Sequence, residues 1–237
     1  QKPRSEDSDA GTADLIRELG LAAPGTDFES DLQYISIIGS IEGHIALPME
    51  NKTTKYEHLI PQLIAVEENP KLRGLLVILN TMGGDVEAGL ALAEMIATLS
   101  KPTVSLVLGG GHSIGIPLAT ATDYSFIAGT ATMTLHPIRT TGLVITAETT
   151  FDYMRKTQDR VIDFIAGHSR ATRKRVTELM NCSDNMSNDV GTILFGKEAV
   201  DAGIIDAVGG VSQALGELRR RVAKVDELEK EISISTD

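Results

Sequence analysis

The chain is short of cysteine, of basic charge and of long apolar runs, and each shortage removes a class of protein. A single cysteine, Cys182, occurs in 237 residues. It excludes an internal disulfide and leaves no cysteine pair for a zinc knuckle, so its thiol reads as structural or incidental. The longest apolar runs, Leu75–Leu79 and Val104–Leu108, are far too short to cross a bilayer, and no membrane span is expected. The first residues, Gln1 to Asp14, are polar and charged without the apolar stretch of a secretory signal, which gives the expectation of a cytoplasmic protein. Lysine and arginine number 22 against 33 acidic residues, a formal net charge of −11. That charge repels a phosphate backbone, and nucleic acid is not expected as a partner. The basic groups at Arg170–Arg175 and Arg219–Arg221 lie in helix-compatible surroundings and read as solvated faces.

What is present is ordinary globular material, 42% hydrophobic and 23% charged, enough for one sizeable core. The chain divides into a mobile arm over residues 1–30, a main domain over 31–211, and a C-terminal amphipathic helix and tail over 212–237. Within the main domain a short β-rich run, Tyr34–Gly39, leads to a helical pattern through Tyr56, Leu59, Ile60, Leu63 and Ile64. Gly74–Leu79 reads as a fully buried strand and Val86–Leu99 as an Ala-rich helix. Thr103–Leu108 is a further strand, running through Gly109-Gly110-Gly111 into a helical stretch from Ser113 to Thr122. Short strands follow at Tyr124–Ala128 and Thr132–Leu135. The alternation predicts an α/β fold with a mostly parallel sheet, its ligand sites at the carboxyl ends of the strands. A long amphipathic helix over Glu148–Ala166 could project, a second covers Thr172–Met180, and Lys197–Val200 restarts helix. Beyond Val211, Leu215, Leu218, Val222, Val225, Leu228 and Ile232 recur at spacings of three and four, a narrow apolar stripe suited to lying on its own domain or on a partner.

Chemistry concentrates at two glycine clusters and one histidine. Gly111-His112-Ser113-Ile114-Gly115 fits G-x-S-x-G, a strand-to-helix turn that exposes a serine hydroxyl, with the Ile114 N–H placed for an oxyanion. The same residues also suit a small-residue turn with Ser113 as a helix cap. A serine nucleophile needs a base, usually histidine. Of the five histidines, His112 adjoins the serine but points elsewhere at such a turn, and His44, His58 and His168 have surface surroundings. His136 directly follows a strand and precedes Pro137, so it stands on the sheet rim as either a base or a structural histidine. Gly83-Gly84 ends the buried strand with bare backbone, as a tight turn or as a second oxyanion donor.

Together these blocks resemble the ClpP peptidases. Asn80-Thr81-Met82-Gly83-Gly84 with Ala88-Gly89 is similar to the family's oxyanion strand, Gly111 to Ala119 to its nucleophile turn, and Met133-Thr134-Leu135-His136-Pro137 to its histidine block. Glu198-Ala199-Val200 with Gly203-Ile204-Ile205-Asp206 resembles its closing helix and strand. The likeness spans about residues 32 to 210, and within the family it is nearest the translocation-enhancing branch. It implies a ClpP/crotonase-like spiral of ββα units with a protruding handle helix at Glu148–Ala166. It further implies a homo-oligomeric ring, with stacked rings in many members, and a serine endopeptidase cutting extended peptides or unfolded protein without a metal or organic cofactor, alone or fed by an ATP-driven unfoldase.

By that likeness the nucleophile is Ser113, the base His136, and the oxyanion donors the backbones of Gly84 and Ile114. The acid departs from the pattern: counting back from Glu198 places the family's aspartate at Gly191. Asp189, two residues upstream, is the expected substitute, with Asp184 the other candidate. Three rival readings share parts of the pattern. A signal-peptide-peptidase-like hydrolase, suggested by Ile205–Gly210, needs a lysine at the serine. An α/β-hydrolase needs its histidine last in the chain, and a crotonase-like hydratase leaves Ser113 and His136 unexplained. A catalytically weak or silent oligomeric scaffold is the alternative outside enzymes.

Overall fold

The computed structural model describes residues 30–139, 146–183 and 190–236. Six parallel strands form its centre in the order β2-β1-β3-β4-β5-β8: β1 (Leu32–Glu42), β2 (Thr53–Lys55), β3 (Gly74–Gly84), β4 (Thr103–Gly111), β5 (Tyr124–Ile127) and β8 (Ala207–Val208). The helices are α1 (Tyr56–Glu68), α2 (Val86–Ala97), α3 (Gly115–Thr120), α4 (Ala147–Gly167), α5 (Arg173–Met180), α6 (Gly196–Asp201) and α7 (Val211–Thr236).

The central strands are apolar on both sides because both faces are covered, the usual condition of a parallel sheet. Successive side chains of a strand point to opposite faces. Accordingly Leu75, Val77 and Leu79 of β3 join the larger core beneath α1 to α5, while Leu76, with Val104 and Leu106 of β4, joins a smaller one. Ala214, Leu218 and Val222 of α7 close that second core with Leu32 and Phe126. The apolar stripe read in the sequence therefore begins on this face of the sheet. Farther along the helix, Leu228 and Ile232 are exposed.

Two strands leave the main path. β4 pairs with β5 over Val104–Val107, then at Gly110 it takes a different neighbour, Thr132 of β6 (Thr132–Leu135). Antiparallel to β6 runs β7 (Thr192–Phe195). This change of partner carries β6 away from β5 and across the carboxyl end of β4, where the glycine-flanked serine lies. Several strands outrun the apolar stretches that announced them: β3 continues to Gly84 and β4 to Gly111, because ladder hydrogen bonds extend past the hydrophobic segment. α4 is 21 residues long, about 32 Å at 1.5 Å per residue. Its buried residues all fall at Thr157 or beyond, and Phe151 and Tyr153 are exposed. Its N-terminal part therefore projects as the handle expected from the sequence. No helix among the described residues is long and apolar enough to cross a membrane.

Candidate active site

The serine turn is built by three strands. His112 N–H donates to Thr81 O of β3 at 3.1 Å, and Ser113 N–H donates to Thr134 O of β6 at 2.9 Å. Held from both sides, Ser113 takes φ 55°, the left-handed region, which costs a non-glycine residue roughly 1–2 kcal/mol. Ser113 is not a helix cap, since α3 starts at Gly115 with Ile114 in the cap position. The flanking glycines are needed for closeness. A Cβ on Gly115 would lie 2.6 Å from Thr81 Cγ2, and one on Gly111 would lie 3.0 Å from Val107 Cγ1. Inside the turn, Gly115 N–H donates to His112 O and Ile116 N–H to Ser113 O. The N–H of Ile114 has no acceptor among the described residues.

The second glycine cluster lies against the serine. A Cβ on Gly83 would stand 2.7 Å from Ser113 Cβ and 3.3 Å from its Oγ. Gly83 (φ 92°) and Gly84 (φ 151°) both adopt backbone open mainly to glycine. The Gly83 N–H is already bonded to Thr81 Oγ1, whose own hydroxyl donates to Gly39 O at 2.6 Å. Thr81, 1% exposed, thus locks β1, β3 and the serine turn together. Nothing in the sequence singled it out.

The histidine arrives by register. Residues i and i+2 of a strand share a face, so His136 extends the face of β6 that carries Thr134, whose carbonyl already holds Ser113. Ser113 and His136 both line a cavity of about 150 Å³, together with Gly84, Ile114, Ile116, Leu135, Val161 and Met180. The expected nucleophile, base and oxyanion residues are therefore brought to one hollow. No direct Ser113–His136 hydrogen bond occurs among the described residues; instead His136 Nδ1 is 2.8 Å from Pro137 O.

The place of the acid is bare. The β6–β7 ladder pairs Thr134 with Ile193 and Leu135 with Thr192, so the next step in the same antiparallel register sets Gly191 opposite His136. A Cβ there would stand 2.4 Å from Leu135 O and 3.0 Å from His136 Cβ, at φ 144°. Position 191 does adjoin His136, as the count from Glu198 implied, but its backbone admits no side chain. Asp189 and Asp184 lie outside the described residues. β7 itself went unread, although Thr192 and Leu194 point inward and Ile193 and Phe195 outward; four residues are too few for alternation to be decisive.

Two other histidines have clear surroundings. His112, adjacent to the nucleophile, bonds through Nδ1 to Thr134 Oγ1 at 2.9 Å. Burial, and then the charge on His136, hold its imidazole below the ordinary value of 6.5. His168 stacks on Phe164 with ring centroids 4.1 Å apart, away from the cavity. Asp206, part of the segment that suggested a serine–lysine enzyme, accepts from the Ser125 N–H and hydroxyl at 2.9 Å each and ties the β8 segment to β5. No lysine lines the cavity among the described residues.

Comparison with known proteins adds to this geometry. A family model described as Clp protease matches residues 30–212. The chain is 53% identical over 223 residues to the translocation-enhancing protein TepA of Halalkalibacterium halodurans, covering 94% of this chain and 87% of that one. It is 25% identical over 162 residues to the ATP-dependent Clp protease proteolytic subunit of Streptococcus uberis, covering 63% and 76% of the two chains.

Proposed function

The chain belongs to the Clp protease family, and from that premise we propose that it is a serine peptidase in which Ser113 attacks the carbonyl of an extended peptide. His136 takes the hydroxyl proton and returns it to the leaving amine. The backbone N–H groups of Gly84 and Ile114 hold the developing oxyanion, and water then releases the acyl enzyme through the same base. Asp189 is the carboxylate proposed to stabilise the imidazolium while it is charged. The observation that carries this reading is the meeting of Ser113, at φ 55°, with His136 and Gly84 around one cavity. The open Ser113–His136 geometry does not count against it, since such bonds often close only around substrate. By family likeness we further propose a cytoplasmic homo-oligomeric ring that joins others through the handle α4 and takes peptides alone or from an ATP-driven unfoldase. The name of the TepA relative points to substrates met during protein translocation.

A fluorophosphonate probe tests the chemistry. Labelling of Ser113 that disappears in Ser113→Ala and falls by orders of magnitude in His136→Ala is expected. One observation favours a second reading, a silent ring scaffold: the glycine at the acid's place. An assembled ring that takes no probe at any concentration would establish the scaffold and end the peptidase reading.

A further inference from the structure

The bond between His136 Nδ1 and Pro137 O, 2.8 Å long, has a chemical consequence. A carbonyl oxygen only accepts, so the bond exists only when Nδ1 carries the proton. In the neutral imidazole Nε2 is then the bare acceptor, which is the form a general base requires. In serine peptidases that tautomer is ordinarily enforced by a carboxylate, and its loss costs about 10⁴ in rate, largely because the wrong tautomer takes over. Here the position opposite His136 is Gly191, packed against Leu135 O and His136 Cβ and fastened by its own N–H to Cys182 O at 2.8 Å. No side chain fits there without moving β7. No carboxylate lines the cavity among the described residues.

Resting on the peptidase reading above, we infer that the main-chain carbonyl of Pro137 is the positioning group of the site, fixing the tautomer and ring plane of His136 in place of a bonded carboxylate. The proline ring fixes φ of residue 137, which leaves ψ as the one soft backbone torsion of that residue by which the carbonyl, one residue along from the base, can swing. It is neutral. It holds the imidazole before reaction and keeps its hydrogen bond once the ring is charged, but stabilises that charge less than a carboxylate does.

The test combines a spectroscopic signature with fluorophosphonate labelling. Solid-state ¹⁵N NMR of the full chain carrying labelled histidine, with His136 assigned by difference against His136→Gln, reads the tautomer directly. The Nδ1–H form is expected in the wild type and equally in Asp189→Asn, whereas a bonded carboxylate that set the tautomer would lose it on that substitution. Pro137→Gly, which frees the carbonyl, is expected to give a mixture of tautomers, with Pro137→Ala nearer the wild type. An Nε2–H signature in the wild type, or a tautomer that switches in Asp189→Asn, overturns the inference. The two readings fail separately. The Nδ1–H signature without any labelling sinks the peptidase and leaves the positioning role standing; labelling with the Nε2–H form does the reverse.

Discussion

Replacing Gly89 by alanine sets helix stability against the site and separates the two. Gly89 lies inside α2 facing Ile114, where an added Cβ would meet Cγ1 at 2.3 Å, Cγ2 at 3.1 Å and Cβ at 3.3 Å. Ordinary contact begins near 3.4 Å, so one of the two must yield by about 1.1 Å. Ile114 is 2% exposed and β-branched, with little rotamer freedom to absorb the push. The displacement passes to its main chain. Alanine in place of glycine strengthens a helix interior by about 1 kcal/mol, and overpacking a core costs about 1–3 kcal/mol. Net stability should change by no more than about 2 kcal/mol. The chemistry should change far more. Moving the Ile114 amide by about 1 Å stretches a hydrogen bond of roughly 2.9 Å to roughly 4 Å, which is no bond. Losing one oxyanion donor slows acylation by about 10²–10³-fold. Urea denaturation and the rate of fluorophosphonate labelling on the same samples check both halves. A Gly89→Ala protein that is more stable and labels at the wild-type rate would refute the reasoning, because the Ile114 amide would then not stand where the oxyanion forms.

Three further outcomes are expected. Leu218→Ala, in the core where α7 meets β3 and β4, should cost about 2–5 kcal/mol in denaturant unfolding; a loss under about 1 kcal/mol would mean α7 is not part of that core. His112 resists protonation in the fold while the unfolded chain takes the proton near 6.5, so its contribution to stability is present above that value and is lost as pH falls below it. Wild type should therefore lose more stability between pH 7.5 and 5.5 than His112→Asn does, as read by urea midpoints; equal losses would remove His112 as the cause. Glu87 and Arg160 join α2 to α4 through two hydrogen bonds of 2.6 and 3.0 Å, which hold the Glu87 carboxyl below its usual range. Both side chains are about half exposed. Glu87→Gln should cost under about 1 kcal/mol at low salt and nothing measurable in 1 M NaCl, and a larger or salt-independent loss would show that the pair does more than bridge two surfaces.

Much of the architecture was legible because it is written in local patterns. The buried strand at Gly74–Leu79 and the helices around Leu63, Ala93 and Phe164 declare themselves through apolar spacing, which depends only on which side of an element faces the core. The G-x-S-x-G turn and the glycines at 83 and 84 declare backbone that only small residues accommodate. β2 and β7 were illegible for the opposite reason: three- and four-residue strands exist through the neighbours they pair with, and their own sequences carry little preference.

The candidate site shows the same division. From the sequence alone came the residue types, a serine flanked by glycines, a histidine ending a strand, a bare pair of glycines and a glycine where the family's aspartate belongs. What required the folded chain was their meeting. β4 changes partner from β5 to β6 at Gly110, and that one exchange brings Thr134 O to the Ser113 amide and His136 to the same cavity. The carbonyl of Pro137 at the imidazole could not be read in advance either, because every residue has a carbonyl and only the backbone path decides where it points. Side-chain pattern is a property of the chain. The direction of a main-chain hydrogen bond belongs to the tertiary structure, and the proposed chemistry depends on both.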